Sequence, residues 1–213
     1  MKSYFPRTPR FMMRFFSTYT WRFLSDKKEI FLTFDDGPTP EITEFVLTEL
    51  KKYNAKATFF CIGKNIQNHP EIFSKLITDG HSIGNHTQNH LKGWKSETNA
   101  YLKNALECEQ TITQFNTSTI TQKLFRPPYG KIKKNQAKQL IEKGYKIIMW
   151  SVLSADFDTT ISNEKCLENV LKNTEPGSII VFHDSVKAAE RMKYALPKVL
   201  KHFSDKGFVF KAI

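Results

Sequence analysis

A chain of 213 residues with 40% hydrophobic and 25% charged residues is long enough to bury one substantial core and too apolar to stay disordered. Its 32 Lys+Arg against 21 Asp+Glu leave a net charge of +11, which favours anionic partners such as nucleic acid, an anionic membrane or acidic glycans, or is only a solvated surface bias. Cys61, Cys108 and Cys166 are odd in number and lack Cys-x-x-Cys spacing, which argues against a zinc ribbon or a disulfide framework and leaves buried thiols.

The first 25 residues carry Lys2, Arg7, Arg10, Arg14 and Arg22 and no acid. Their apolar runs are cut by Arg14 and fall short of the roughly 7–15 residues of a secretory leader or the roughly 20 of a membrane span. The expected location is therefore the cytoplasm or a membrane surface. Phe11, Phe15, Tyr19 and Phe23 recur every four residues beside Met12 and Phe16. Residues 1–28 thus read as a basic amphipathic segment, either a helix packed on the body of the protein or one lying on anionic lipid.

Residues 29–213 read as one domain in which short apolar runs alternate with helical periods. Strands are expected at 30–34, 57–62, 81–85, 124–126, 145–152, 178–183 and 208–212, and helices at 41–53, 70–79, 96–115, 136–143, 164–173 and 189–203. Gly80, Gly144 and Gly207 each stand between a helix and the next strand, as left-handed C-caps do. This alternation predicts an α/β fold on a parallel sheet, open or closed into a barrel. Asp35, Asp36, His86, His90, Arg126, Asp156 and His183 all fall at or just beyond carboxyl ends of strands, where such folds build their active sites.

His86 and His90, four residues apart, share one face of a helical turn, so both rings reach one ion at about 2.0–2.1 Å. An aspartate from the first strand supplies the third ligand of an open, catalytic metal site. Asp35 and Asp36 are adjacent, so on an extended backbone their carboxylates diverge, one toward metal and the other toward the reacting water; the other reading of Asp-Gly-Pro is a turn or cap. Arg126 closes a strand where a buried guanidinium normally pairs with a carboxylate, and two prolines fix the path of the Tyr129 N–H. His183 ends an apolar strand as a satisfied core residue or a general acid. Asp156, Asp158 and Asp184 are all open as its partner. Trp94 either stacks on a sugar or simply packs. His69, His81 and His202 have no comparable setting.

The ordered set Thr33-Phe34-Asp35-Asp36-Gly37, His86-Thr87-x-x-His90, Arg126-Pro127-Pro128-Tyr129-Gly130 and a late strand ending in His183 resembles the polysaccharide deacetylases, the carbohydrate esterase family 4 enzymes with a NodB-homology domain. The resemblance covers residues 29–213. It implies a distorted (β/α) barrel of about seven parallel strands and metal-dependent removal of N-acetyl, sometimes O-acetyl, groups from sugars. By resemblance Asp36, His86 and His90 are ligands, most often of zinc, with cobalt or nickel able to substitute. Asp35 resembles the general base, Arg126 its positioning partner, the Tyr129 backbone an oxyanion donor, His183 the general acid and Asp156 the carboxylate that tunes it. Leu153, Phe157 and Val181 depart from the family pattern of an acid, a tryptophan and a leucine. The groove wall, with Tyr129, Phe157 and Trp94 as substrate-binding candidates, should therefore differ. The implied substrate is an acetylated glycan, peptidoglycan or chitin-like. A lipid-linked sugar or small amide at a membrane face is the alternative. A non-catalytic glycan-binding module would need a broken site, and nucleic acid is not an expected partner.

Overall fold

The apolar runs pair into one parallel sheet. In the computed structural model, which describes residues 4–115 and 122–213, the strands are β1 (Glu29–Asp35), β2 (Ala57–Cys61), β3 (Ser82–Asn85), β4 (Lys123–Phe125), β5 (Tyr145–Ile147), β6 (Val152–Leu153), β7 (Ile179–His183) and β8 (Val209–Phe210). Their order is β5-β4-β3-β2-β1-β7-β6, with β8 added to β1. Register sets the two faces. Phe34 stands opposite Phe59 of β2 and Phe182 of β7, and the three rings stack, with centroids 5.1 and 6.1 Å apart. One step further, Asp35 stands beside His183. Because side chains alternate along a strand, the phenylalanine row faces the outer helices while Thr33, Asp35, Val181 and His183 face the inside of the curl.

The helices are α1 (Arg10–Phe15), α2 (Ile42–Lys52), α3 (Gly63–Asn68), α4 (Pro70–Thr78), α5 (Thr98–Phe115), α6 (Lys134–Glu142), α7 (Asn163–Leu171) and α8 (Ala189–Asp205). The main core lies between sheet and helices, where Leu32 and Phe34 meet Val46 and Leu50 of α2 and Val199 and Leu200 of α8. Gly80, Gly144 and Gly207 have φ of 75°, 87° and 76°, as caps require. The three cysteines are free and buried. Among the described residues no helix is long and apolar enough to cross a membrane.

Two expectations are revised. The strand expected at 145–152 is two strands, β5 and β6, separated by residues 148–151. This short stretch crosses the gap between the sheet's two edges: Ile148 N–H donates to Phe125 O of β4 at 2.8 Å, and Ser151 N–H to Ile179 O of β7 at 3.1 Å. The sheet thereby curls toward a barrel.

The four-residue recurrence near the N-terminus does not carry a long helix. α1 spans six residues, and Phe11 and Phe15 are exposed. The chain then runs along the seam instead. Leu153 N–H donates to Pro6 O at 2.8 Å, Thr8 N–H to Ser151 O at 2.9 Å, Met149 N–H to Thr20 O at 2.7 Å, and Phe23 N–H to Gly177 O at 2.9 Å. Edge backbone at the seam needs partners, and that demand outweighs the helical period. Trp21 and Phe23 then pack inward, on Tyr101 and Phe125 and on Phe31 respectively.

Gly177 is where this strap is fastened. Its φ is 79°, and a Cβ there would stand 1.9 Å from Phe23 O. Gly177→Ala should lower unfolding stability by about 2 kcal/mol or more and speed protease cleavage within residues 4–25. Wild-type values in both assays would mean that the strap contributes nothing to the fold.

Candidate metal centre and active site

β1 ends in Asp35, and the next residue leaves the strand with a left-handed φ of 83°. The carboxylates of Asp35 and Asp36 therefore separate by a backbone reversal rather than by strand alternation alone. The turn is held from three sides. Asn65 Nδ2 donates to Asp36 O at 2.7 Å, Gly37 N–H donates to Asp184 Oδ1 at 3.0 Å, and Thr43 Oγ1 donates to Asp184 Oδ2 at 2.6 Å. A Cβ on Gly37 would lie 1.9 Å from Asp184 Oδ2, so this approach requires glycine.

The helical turn expected to align His86 and His90 is absent. Residues 86–90 form a bend in which Thr87 and His90 are left-handed, at φ 65° and 55°. Thr87 N–H donates to Asn85 Oδ1 at 2.8 Å, and Asn89 N–H to Asn104 Oδ1 at 3.0 Å. The bend still brings the rings together, with centroids 5.1 Å apart. His86 Nδ1–H donates to Arg126 O at 2.8 Å, which fixes the tautomer and leaves the Nε2 lone pair facing Asp36.

These donors fit a metal ion. Asp36 Oδ1 lies 3.7 Å from His86 Nε2 and 3.2 Å from His90 Nε2. Two ligands at about 2.0–2.1 Å from a tetrahedral ion stand about 3.3 Å apart, so the spacing matches edges of one coordination sphere. Ligand atoms of all three residues lie within 4.8 Å of one another. Asp36 Oδ1 is buried without a hydrogen-bond partner, an arrangement that a cation would satisfy. Burial pushes the His86 imidazole down to about 4, so it is neutral and able to ligate. Burial opposes ionisation of Asp36, but the imidazoles of His90 and His183 outweigh it and hold the carboxyl well below its usual range.

On the other side of this candidate ligand set, Asp35 Oδ1 accepts from Arg126 Nη1 at 2.7 Å. Arg126 is fully buried and also donates to Thr33 Oγ1, Ile148 O and Met149 O. His183 is gripped by one carboxylate: Asp156 accepts from its Nδ1 and from its backbone N–H, each at 2.7 Å. Among the three aspartates left open by sequence, the partner is therefore Asp156. Asp158 instead accepts from the Tyr4 hydroxyl at 2.5 Å and from Thr160. Asp184 pins Gly37, and burial pushes its carboxyl up to about 7. Burial opposes charge on His183, but the carboxylates of Asp156, Asp36 and Asp35 prevail and raise it to about 10.

A cavity of about 500 Å³ opens over these groups, lined by Tyr129, Trp150, Leu153, Phe157 and Val181 among others. Tyr129 has a left-handed φ of 61°, and its ring lies 4.6 Å from that of His90. Phe157 stands edge-on to His183, with centroids 5.2 Å apart. Trp94 is not brought to this cavity. Its Nε1 donates to Ile132 O at 3.1 Å, and Lys131 Nζ sits 4.9 Å from its ring centre. One positioning residue was missed in the sequence: Arg191, whose Nε donates to Asp156 O at 2.7 Å. The available signal was its place on the buried stripe of α8, four residues before Ala195 and eight before Val199.

Comparison with known proteins places this geometry. The sequence profile of the family described as polysaccharide deacetylase matches residues 24–148. A peptidoglycan-N-acetylglucosamine deacetylase of Bacillus cereus is 36% identical over 186 residues, 87% of this chain and 66% of that protein. A second protein of that description from the same organism is 33% identical over 91% of this chain and 90% of its own length. This chain thus spans about two thirds of the first and nearly all of the second. The crystal structure of the Bc1960 peptidoglycan N-acetylglucosamine deacetylase superposes with a TM-score of 0.87 at 33% identity, covering 97% of this chain and 95% of that one.

Removing the charge of Asp156 should bring the His183 titration down. The raised value means that the pair's contribution to stability is complete below about pH 6.5 and is lost as pH rises through about 10. In Asp156→Asn the imidazole should titrate at least about one pH unit lower, followed by NMR of the His183 ring. An unshifted titration would rule out Asp156 as the group that holds this proton.

Proposed function

This chain belongs to the polysaccharide deacetylase family, and we propose that it hydrolyses N-acetyl groups of N-acetylglucosamine-containing glycans of the peptidoglycan type, releasing acetate. The observation that carries the reading is the meeting, at one cavity, of an Asp-His-His ligand set, an arginine-bound carboxylate and a carboxylate-bound histidine. The relatives described as peptidoglycan-N-acetylglucosamine deacetylases support the substrate.

Asp36, His86 and His90 would hold a zinc ion, with cobalt or nickel able to replace it, and when bound it would supply Lewis acidity toward the acetyl carbonyl and would lower the pKa of water from about 15.7 toward 7. Asp35, with one oxygen anchored by Arg126, receives the proton of the attacking water. The Tyr129 N–H, on a loop set by Pro127 and Pro128, donates to the developing oxyanion. As the C–O bond forms and the C–N bond breaks, His183 gives its proton to the departing nitrogen. Asp156 holds Nδ1, so the proton in play is the one on Nε2. An amide nitrogen leaves poorly unless protonated, so the acid is as necessary as the base. Tyr129 and Phe157 wall the sugar; Trp94 stands outside the cavity.

Asp35→Asn should reduce turnover by about 10²–10⁴-fold while metal content, measured by elemental analysis, stays at wild-type level; loss of metal would break the division of roles between the two aspartates. His86→Ala should lose the metal. In the parent assay, zinc-loaded protein should release acetate from an N-acetylglucosamine glycan and chelated protein should not. Loaded protein that releases none would reject the substrate class.

A further inference from the structure

One ring in the lining of the catalytic cavity comes from the start of the chain: Tyr4 stands there with Phe157 and His183. The N-terminal strap delivers it. Arg7 lies opposite Val152 of β6 in antiparallel pairing, and Leu153 N–H donates to Pro6 O at 2.8 Å. In that register the residues just before Pro6 run past the end of β6, level with the loop that carries Asp156 and Phe157.

Tyr4 is held there at both ends of its side chain. Its hydroxyl donates to Asp158 Oδ2 at 2.5 Å, and its ring packs against the main core. Burial and the Asp158 carboxylate raise the phenol above its ordinary value, so the hydroxyl keeps its proton and remains a donor. Asp158 is fixed in turn, accepting from the Thr160 N–H and hydroxyl at 2.9 and 2.6 Å.

Phe157 lies between two rings. It stands edge-on to Tyr4, with centroids 5.5 Å apart, and edge-on to His183, at 5.2 Å. On the inner side of the loop, Asp156 is anchored by His183 and Arg191. The Phe157 side chain has no polar atom to anchor, and it is only half-buried. It keeps its place by packing alone. Edge-to-face contacts are directional, so losing one of the two frees the ring.

We propose that Tyr4 is a positioning residue of the active site: it braces the Phe157 ring against His183 and so fixes the wall on which the sugar is seated. The inference rests on the deacetylase reading, in which Phe157 faces the sugar. It makes the N-terminal strap part of the glycan site.

The test compares Tyr4→Ala with wild type, both zinc-loaded, in acetate release from a soluble N-acetylglucosamine oligomer. A wall that meets ground state and transition state alike changes KM and not kcat. KM should therefore rise about five-fold, the worth of one aromatic pair, with kcat within about two-fold of wild type. Tyr4→Phe, which keeps the ring, should recover most of the loss. Arg22→Gln loosens the strap at Glu175, and neither residue lines the cavity; it should lower the melting temperature and leave KM unchanged. NMR of the His183 ring needs no substrate: Tyr4→Ala should displace its ring-proton signals, and Arg22→Gln should not. A reduced kcat at wild-type KM would make Tyr4 a folding residue only. That result, unmoved His183 signals, or an equal rise of KM in Arg22→Gln would overturn the brace and leave the deacetylase reading standing. Wild-type protein that releases no acetate would sink the deacetylase reading and with it the seating of a sugar, while the NMR comparison still decides whether Tyr4 places Phe157.

Discussion

The buried guanidinium of Arg126 is the constraint around which the site and the seam of the sheet are arranged. A fixed positive charge in the interior is tolerated only if its donors are all met. Here Nε and Nη2 draw in the carbonyls of Ile148 and Met149, at 3.1 and 2.9 Å, while Nη1 holds Thr33 Oγ1 and Asp35 Oδ1, both at 2.7 Å. The two carbonyls belong to the stretch that interrupts the expected strand, so the need of the guanidinium for acceptors and the break between β5 and β6 are one fact. The Phe60 ring covers its face, 4.1 Å away. The carbonyl of the same residue orients His86. One side chain and its own backbone thus join the base, a metal ligand and the closure of the curl. Lysine lacks the planar fork to replace it.

Backbone strain is concentrated at the same rim. Among the described residues seven non-glycine positions have positive φ, and five of them, Asp36, Thr87, His90, Tyr129 and Ala155, lie in the loops that carry the site. Such conformations cost on the order of 1 kcal/mol or more each and persist only where neighbours over-determine them. The neighbours are identifiable: Asp184 and Asn65 around Asp36, Asn85 at Thr87, and Pro127 and Pro128 before Tyr129. Stability is given up where side chains must converge, and the stacked phenylalanines and the helices behind the sheet offset it.

Much of this was legible in the sequence because it depends on local pattern. Apolar runs and glycine caps marked strands and helix ends, and the carboxyl ends of strands marked the site. What was not legible depends on partners distant along the chain. No window around residue 148 announces that a guanidinium from residue 126 will claim its carbonyl. Nor does a period of four in Phe11, Phe15, Tyr19 and Phe23 reveal that a seam of unpaired backbone will compete for that segment. The histidines illustrate a correct pairing reached by the wrong geometry: their spacing fitted a helical turn, yet two left-handed residues bring the rings together. Asp156, Asp158 and Asp184 were indistinguishable by composition, and only the register of β7 against the loop after β6 separates them. Six-residue α3 offered one buried aliphatic, Ile66, too little for a period.

The electrostatics of the cavity also bear on the direction of the proposed reaction. Its centre holds Asp35 against the Arg126 guanidinium and Asp156 against His183, while Asp36 faces the two metal-site histidines. A neutral acetamide enters without disturbing that balance. Hydrolysis then turns the amide into an amine that accepts a proton from His183, so a new positive charge appears where the carboxylates already have partners. Asp35 can attract that ammonium only against the fixed charge of the buried Arg126 beside it. The pairing that keeps Asp35 in place for the proton of the attacking water therefore also weakens its hold on the deacetylated sugar.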